Sequence, residues 1–290
     1  MPREESVTFT SGGLALSGIV HIPDDIAAGE QRPAFLVLHG FGSNKSSPSC
    51  LAPCELLASM GYVAMRFDMR GCGESEGEFG RVICLEQVED TKAAHAYLAA
   101  RPEVDAARVG ALGSSFGAAV AVYTAGVYEP IAAVVSSGGW GDGERKFRGQ
   151  HVGAAWDRFV AMLDEGRRHR ERTGTSLMVP RDDIVPIPGH LRTNLAASSV
   201  EMFPVETAQS MFDFRADDVV ARIAPRPLLL LHAAVDSVTP TEQSIELFRR
   251  AGQPADLHLT AGTDHFMFAD SNVRVRRILT DWLDEYMPVG

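Results

Sequence analysis

Cysteine, basic charge and long apolar runs are all scarce in this chain. Only four of its 290 residues are cysteine, Cys50, Cys54, Cys72 and Cys84, all in the first third. Cys50 and Cys54 stand four apart with no second Cys or His pair at ligand spacing, which excludes the common zinc patterns. So few cysteines in so long a chain do not make a disulfide framework. No spacing implies a metal or an organic cofactor. Lys and Arg number 27 against 38 Asp and Glu, a net charge of −11. With no basic stripe to neutralise phosphates, nucleic acid is not an expected partner. No stretch approaches the roughly 18 apolar residues of a membrane span, and residues 1–10, MPREESVTFT, lack the apolar centre of a secretion signal. Free thiols without an export signal point to the cytoplasm and away from a membrane.

What is present is enough apolar material, 45% of residues, to bury a large core. Short apolar runs alternate with helical stretches. An antiparallel pair is expected over 7–10 and 14–21, joined at Ser11-Gly12-Gly13. Strands over 34–38, 62–67, 109–112, 131–135, 227–231 and 256–260 interleave with helices over 53–60, 85–100, 241–251 and 272–286. In the helix over 85–100, Leu85, Val88, Ala93, Ala96, Tyr97 and Ala100 approximate one apolar face, ending before Pro102. Such alternation predicts an α/β fold with a mostly parallel sheet covered on both faces.

Residues 140–206 break the rhythm. Val152, Trp156, Phe159, Val160 and Leu163 mark an amphipathic helix ending near Gly174, and Pro180, Pro186, Pro188 and Pro204 punctuate the stretch after it. From 140 to 215 the eleven Lys/Arg balance eleven Asp/Glu, so the rest of the chain carries the whole negative charge. The expected organisation is a core of 1–139 and 207–290 with 140–206 inserted, either as a lid over the carboxyl ends of the strands or as an extension of the core.

Residues 109–122 read VGALGSSFGAAVAV, an apolar strand, a G-x-S-x-G turn and an Ala-rich helix start. A serine hydroxyl becomes a useful nucleophile when a base removes its proton. A sharp strand-to-helix turn would lift Ser115 clear of the sheet, with Gly113 and Gly117 allowing strand and helix to close together. The backbone N–H of Phe116, at the helix N-terminus, would meet a developing oxyanion. A second G-x-S-x-G surrounds Ser75, but no helix starts there, so Ser75 is read as part of a polar loop.

Nine histidines are available as the base. His265 lies in a Gly-containing loop between the last strand and the last helix, at the predicted active face. His39 follows a strand directly and is the alternative, with a turn-ordering role as its other reading. His232 reads as a core histidine at a strand end, and His151, His169 and His190 lie in the insert. For the orienting acid, Asp236 follows the strand over 227–231, where a carboxylate fixes the imidazole tautomer and stabilises the imidazolium. Asp264 is the competitor, though adjacent loop residues rarely aim side chains at each other. The second oxyanion donor is expected from the small-residue loop after the strand over 34–38, at the N–H of Phe41. The Phe41 side chain then lies against the acyl group or simply packs. Trp140, just past a strand end, is read as a substrate-binding wall or as core.

Ser115, Asp236 and His265 in that order, with His39-Gly40-Phe41-Gly42 ahead of them, resemble the α/β-hydrolase superfamily over nearly the whole chain. Residues 68–77, DMRGCGESEG, are similar to its Asp-x-Arg-Gly-x-Gly-x-Ser-x-Gly loop. The His-Gly-Phe opening and modest insert are most similar to bacterial carboxylesterases of the cinnamoyl and feruloyl esterase type. Gly42-Ser43 stands where Thr-Gly is common there, and Ser115-Phe116 where Ser-Gln or Ser-Met is usual. The resemblance implies a helical cap and a serine hydrolase cleaving small-molecule carboxylic esters through an acyl-enzyme, aromatic acyl groups included. Thioester, amide or 1,5-diketone C–C cleavage on the same triad stands as the alternative, and a non-catalytic ligand receptor as a remote one. The oligomeric state is left open, a homodimer included.

Overall fold

The computed structural model describes residues 2–268 and 272–289. The chain opens with β1 (Arg3–Ser11) and β2 (Leu14–Ile22), paired antiparallel across Gly12-Gly13. Both glycines have positive φ, +56° and +84°, the conformation that a two-residue hairpin turn demands. Then come β3 (Arg32–Leu38), α1 (Pro48–Ser59), β4 (Val63–Phe67), α2 (Cys84–Ala99), β5 (Val104–Ser114), α3 (Phe116–Val127) and β6 (Val134–Ser137). The intervening segment holds α4 (Gly143–Gln150), α5 (Ala154–Thr173), β7 (Met178–Pro180), α6 (Arg181–Ile184), β8 (Met202–Pro204) and α7 (Val205–Asp213). The core resumes with β9 (Leu228–Ala233), α8 (Glu242–Arg250), β10 (Ala255–Thr260) and α9 (Val273–Tyr286).

Eight strands form one sheet in the order β1-β2-β4-β3-β5-β6-β9-β10, parallel from β4 onwards. Residues 34–38 of β3 and 228–231 of β9 are wholly apolar and no more than 1% exposed, because helices cover both sides of a parallel sheet. On one side Phe35 and Val37 meet Cys50, Cys54 and Leu57 of α1 and Leu279 and Leu283 of α9. On the other, Ala34, Leu36 and Leu38 join the core completed by α2, α3 and α8. The chain runs outward from β3 to β4, then returns to place β5 on the other flank of β3. Strand order reverses there, so the loops after β3 and β5 diverge and open a crevice.

Three expectations shift. The first helix begins at Pro48 rather than at 53. Pro48 occupies the first turn, where its missing N–H costs nothing, and Pro53 is carried inside because Cys50, Cys54 and Leu57 need one buried face. The buried face of α2 is Cys84, Val88, Thr91, Ala94 and Leu98, with Leu85 at 55% exposed. Gln87, Asp90 and His95 share that face, and Asp90 grips Arg70, so apolar spacing alone misplaced the stripe. The strand expected at 131–135 pairs over Val134–Ser137, which carries its end closer to Trp140.

Residues 140–206 add no strand to the main sheet; β7 and β8 pair only with each other. In α5, Phe159 and Leu163 face inward and Gly174 closes the helix at φ +73°, whereas Val152 lies outside it, 75% exposed. Position 206 falls within α7, which packs on α4 and α5. Among the described residues no helix is long and apolar enough to cross a membrane.

Candidate active site

Ser115 is the only described non-glycine residue with positive φ, +56°. A side chain there is strained, and such strain persists only where the surroundings enforce it. They do so tightly. A Cβ on Gly113 would lie 2.2 Å from the Gly117 carbonyl oxygen, and one on Gly117 would lie 2.5 Å from the Leu38 oxygen. β5, α3 and β3 can therefore approach only with glycine at both positions. The Ser115 N–H donates to the Ser137 oxygen at 2.8 Å, tying the turn to β6.

The loop after β9 supplies Asp236 and the loop after β10 supplies His265. His265 Nδ1–H donates to Asp236 Oδ2 at 2.9 Å, with Oδ1 at 3.1 Å. Gly138, at φ +64°, makes room for the pair, since a Cβ there would lie 3.3 Å from the imidazole. Asp236 Oδ1 also accepts the N–H groups of Val238 and Thr239 at 2.8 and 2.7 Å. Burial pushes this carboxyl up. The charges of His265 and His232, and the hydrogen bonds from both, overcome that and hold it well below the usual carboxylate range.

His232 is buried as a core histidine would be, but it also supports the acid. Its Nε2 lies 3.2 Å from Asp236 Oδ2 and 3.0 Å from the Thr239 oxygen, while Nδ1 meets Ser244 Oγ at 2.6 Å. The spacing of four residues across a strand end was the available signal. Asp264 does not reach the His265 ring. It accepts the backbone N–H groups of His265 and Ser237 at 2.8 and 2.9 Å, and Ser237 Oγ at 2.7 Å, so it pins the two loops together. His190 of the insert joins it at 3.3 Å.

His39 serves the loop after β3. Its Nδ1–H donates to the Gly40 oxygen at 2.8 Å and its Nε2 accepts the Met69 N–H at 3.1 Å. Burial lowers this imidazole, keeping it neutral as those two bonds require. The N–H groups of Phe41 and Phe116 have no hydrogen-bond partner among the described residues. Arg181, which sequence reasoning passed over as one charge beside Asp182 and Asp183, reaches this loop from α6. Its Nη1 and Nη2 donate to the Phe41 and Gly42 oxygens at 2.8 and 3.0 Å, and its Nε to the Val200 oxygen at 3.0 Å. Its guanidinium lies over the rings of Phe41 and Phe203, themselves stacked at 4.3 Å. Burial pushes it down to about 10, so it stays charged at neutral pH with no carboxylate bonded to it among the described residues. Gly42, at φ +52°, is required here because a Cβ would lie 2.4 Å from the Phe203 ring.

Ser115 and His265 line one small, partly open cavity with Phe41, Phe266, Arg181 and Asn194. Its volume is about 20 Å³, room for about one water molecule. Phe41 thus faces the site. Trp140 does not line it. The indole is 1% exposed and packs behind Phe116 at 5.7 Å, with Lys146 Nζ 5.3 Å from its ring, because the β6 end turns it inward. Lys146 is itself buried beside Phe147, bonded to Gln150 Oε1 at 2.7 Å, and burial pushes it down to about 7. All four cysteines are buried, and burial pushes Cys50, Cys72 and Cys84 up to about 12, leaving no thiolate nucleophile.

A family profile described as X-Pro dipeptidyl-peptidase (S15 family) matches residues 13–266. An uncharacterized 31.7 kDa protein from the traX-finO intergenic region of Escherichia coli is 23% identical over 89% of this chain and 92% of its own. The α/β hydrolase GrgF from Penicillium sp. sh18 superposes with a TM-score of 0.81 at 21% identity, over 98% of this chain and 99% of its own. Est1E from Butyrivibrio proteoclasticus, solved with ferulic acid bound, gives 0.66 at 19% identity over 97% of each chain. At these identities the structural likeness is one of fold.

Proposed function

Because the chain belongs to the X-Pro dipeptidyl-peptidase (S15) family of α/β-fold hydrolases, we propose that it cleaves carboxylic esters through an acyl-enzyme on Ser115. The carrying observation is the strained Ser115 sharing one small cavity with His265, whose far nitrogen is held by a buried Asp236. In this reading Ser115 Oγ attacks the carbonyl carbon while His265 takes its proton. The two unpartnered N–H groups of Phe41 and Phe116 receive the oxyanion. His265 then gives the proton to the departing alkoxide, and water repeats the cycle on the acyl-enzyme. Asp236 keeps the imidazole proton on Nδ1 and stabilises the imidazolium.

The cavity lining separates an ester from an X-Pro peptide. A dipeptidyl substrate brings a free ammonium group, which needs a carboxylate, yet among the described residues lining the cavity there is none, and the permanently charged one is the cation Arg181. A neutral ester meets no such mismatch. Phe41, Val185, Leu195 and Phe266 favour an apolar acyl group, and the fold-related Est1E binds ferulic acid, so aromatic acyl groups belong in the proposal. In this reading residues 140–206, which contribute Arg181, Val185, Asn194 and Leu195 to the small cavity, act as a cap that yields to the substrate. A small-molecule ester in the cytoplasm is the proposed partner. Fluorophosphonate labelling followed by a panel of aryl and alkyl esters, thioesters and X-Pro anilides tests the reading. Labelling at Ser115 with ester turnover supports it; exclusive turnover of X-Pro anilides would overturn it.

A further inference from the structure

The Asp236 carboxylate gathers more donors than the orientation of one imidazole requires. Its side chain is wholly buried, and an ionised carboxylate offers about four acceptor positions. Oδ1 takes the N–H groups of Val238 and Thr239 at 2.8 and 2.7 Å, and Oδ2 takes His265 Nδ1–H at 2.9 Å. The remaining position, on that same Oδ2, faces His232 Nε2 at 3.2 Å. Two acceptors flank this nitrogen, Asp236 Oδ2 and the Thr239 oxygen at 3.0 Å, so it carries a proton and shares it between them. The ring is held from behind, because its Nδ1 meets Ser244 Oγ of α8 at 2.6 Å and both residues are fully buried.

The loop that carries Asp236 has fasteners of its own. Thr241 Oγ1 closes it onto the Ala233 oxygen at 2.9 Å, and Asp264 ties down Ser237. What the His232 contact alters is the charge on Oδ2. A donor at a carboxylate oxygen stabilises and spreads the negative charge, so that oxygen attracts a neighbouring imidazolium less strongly. We infer that His232 and Ser244 are positioning residues that set how tightly Asp236 holds the His265 imidazolium, and with it the lowest pH at which His265 takes the Ser115 proton. Other charged groups bear on the same pair. They are Asp264 beside His265, His190 of the insert through Asp264, Arg181 of α6 across the cavity, and Lys146 of α4, which feels the Asp236 charge. None of these four bonds to His232 or Ser244 among the described residues, so differences between variants at 232 and 244 isolate the shared oxygen.

This inference rests on the reading of His265 and Asp236 as base and acid, and the experiment separates the two. The acid limb of kcat/KM against pH, measured with 2-naphthyl acetate, follows the base of the free enzyme. His232→Leu should raise the midpoint of that limb by about one pH unit, a further loss of about tenfold well below it. Ser244→Ala, the milder change, should raise it by about half a unit. His232→Gln, whose amide keeps a donor near the Nε2 position, should return it to within about 0.3 unit of wild type. Histidine-selective ¹⁵N NMR follows the same ring without substrate, with its signal assigned by His265→Gln, and should give the same order. Thermal unfolding confirms that each variant is folded, with His232→Met replacing His232→Leu if the latter is not. A limb that stays put in both His232→Leu and Ser244→Ala, moves to lower pH, or moves as far in His232→Gln, overturns the inference and leaves the hydrolase reading intact. A fall in kcat or melting temperature with the limb unmoved makes His232 a structural residue only. If the wild type neither turns over the ester nor is labelled at Ser115, the hydrolase reading fails, and the NMR titration alone decides the coupling.

Discussion

Ser75 and Ser115 each stand at the centre of a G-x-S-x-G run, one beside the antiparallel edge of the sheet and the other where strand order reverses. Ser75 Oγ donates to the Asp68 oxygen at 2.6 Å and accepts the Ser17 N–H at 2.9 Å, binding the loop after β4 to β2. Its hydroxyl is spent on structure. Ser115 is held at φ +56° against a cavity it shares with His265, with a helix beginning behind it. The same pentapeptide thus yields a loop fastener or, in the proposed reading, the nucleophile, according to whether a loop or a helix succeeds it. Asp236 and Asp264 repeat the contrast, the first gripping the His265 imidazole and the second backbone N–H groups, the Ser237 hydroxyl and His190. So do Arg70, paired with Asp90, and Arg181, paired among the described residues with carbonyls alone.

Substitutions can break these pairings. The largest effect is expected at Ser115→Ala, which should abolish fluorophosphonate labelling and lower kcat by at least about 10⁴-fold in a folded protein. Labelling retained there and lost in Ser75→Ala would reverse the assignment. Asp236→Asn should lower kcat by about 10⁴-fold, since the imidazole proton is misplaced. Asp264→Asn should cost less than about tenfold, and equal losses at the two positions would erase the distinction between the acids.

Arg181→Ala should lower kcat by about 10²-fold, the scale of losing one oxyanion donor, with KM within about threefold. Arg181→Lys should recover only part of this, because an ammonium cannot span the carbonyls that a planar guanidinium reaches. A raised KM at unchanged kcat would make Arg181 a substrate contact, not the brace of the Phe41 loop. Ser75→Ala should keep activity within about threefold and lose about 1–3 kcal/mol of stability, measured by urea unfolding.

Lys45 and Lys146 sharpen the comparison in stability alone, with the smallest effect on activity. Both are buried, but Lys45 has Asp68 and Glu74 as partners, whereas Lys146 bonds only to Gln150 among the described residues. Lys146 is pushed down to about 7, against about 10.4 in an unfolded chain. Between those values the unfolded state binds more protons, so this group makes stability rise with pH from 7 to about 10, by up to about 1.4 kcal/mol per pH unit. Lys146→Met should flatten that slope with activity nearly unchanged; an unaltered slope would assign it to another group. Asp236 acts in the acid range with the same sign. Its depressed carboxyl contributes stability above about pH 3.9, lost as pH falls through its lower folded value.

Much of the fold is legible locally. The Gly12-Gly13 hairpin, the strand–helix alternation and the glycines about Ser115 each stem from a periodicity or a steric limit acting over a few residues. The first helix and the face of α2 were less legible, because Pro53 and Asp90 obey packing demands made by distant elements. In the candidate site, Ser115, Asp236, His265 and Phe41 stand at strand ends, which a linear reading can locate. Arg181 and Lys146 could not be singled out that way, and His232 was read only as a core histidine, since each owes its role to a partner. Trp140 was placed a layer too near, because its strand ends two residues later than the apolar run suggests.

The order of strands, turns and reactive residues was therefore determined by sequence alone, since period, glycine sterics and chain order are local properties. Tertiary structure alone decided which serine faces a histidine, which aspartate holds it, and that an arginine from the insert braces the Phe41 loop. Those outcomes depend on strand order in the sheet and on the burial of charge, and both arise only when segments far apart in the chain are packed together.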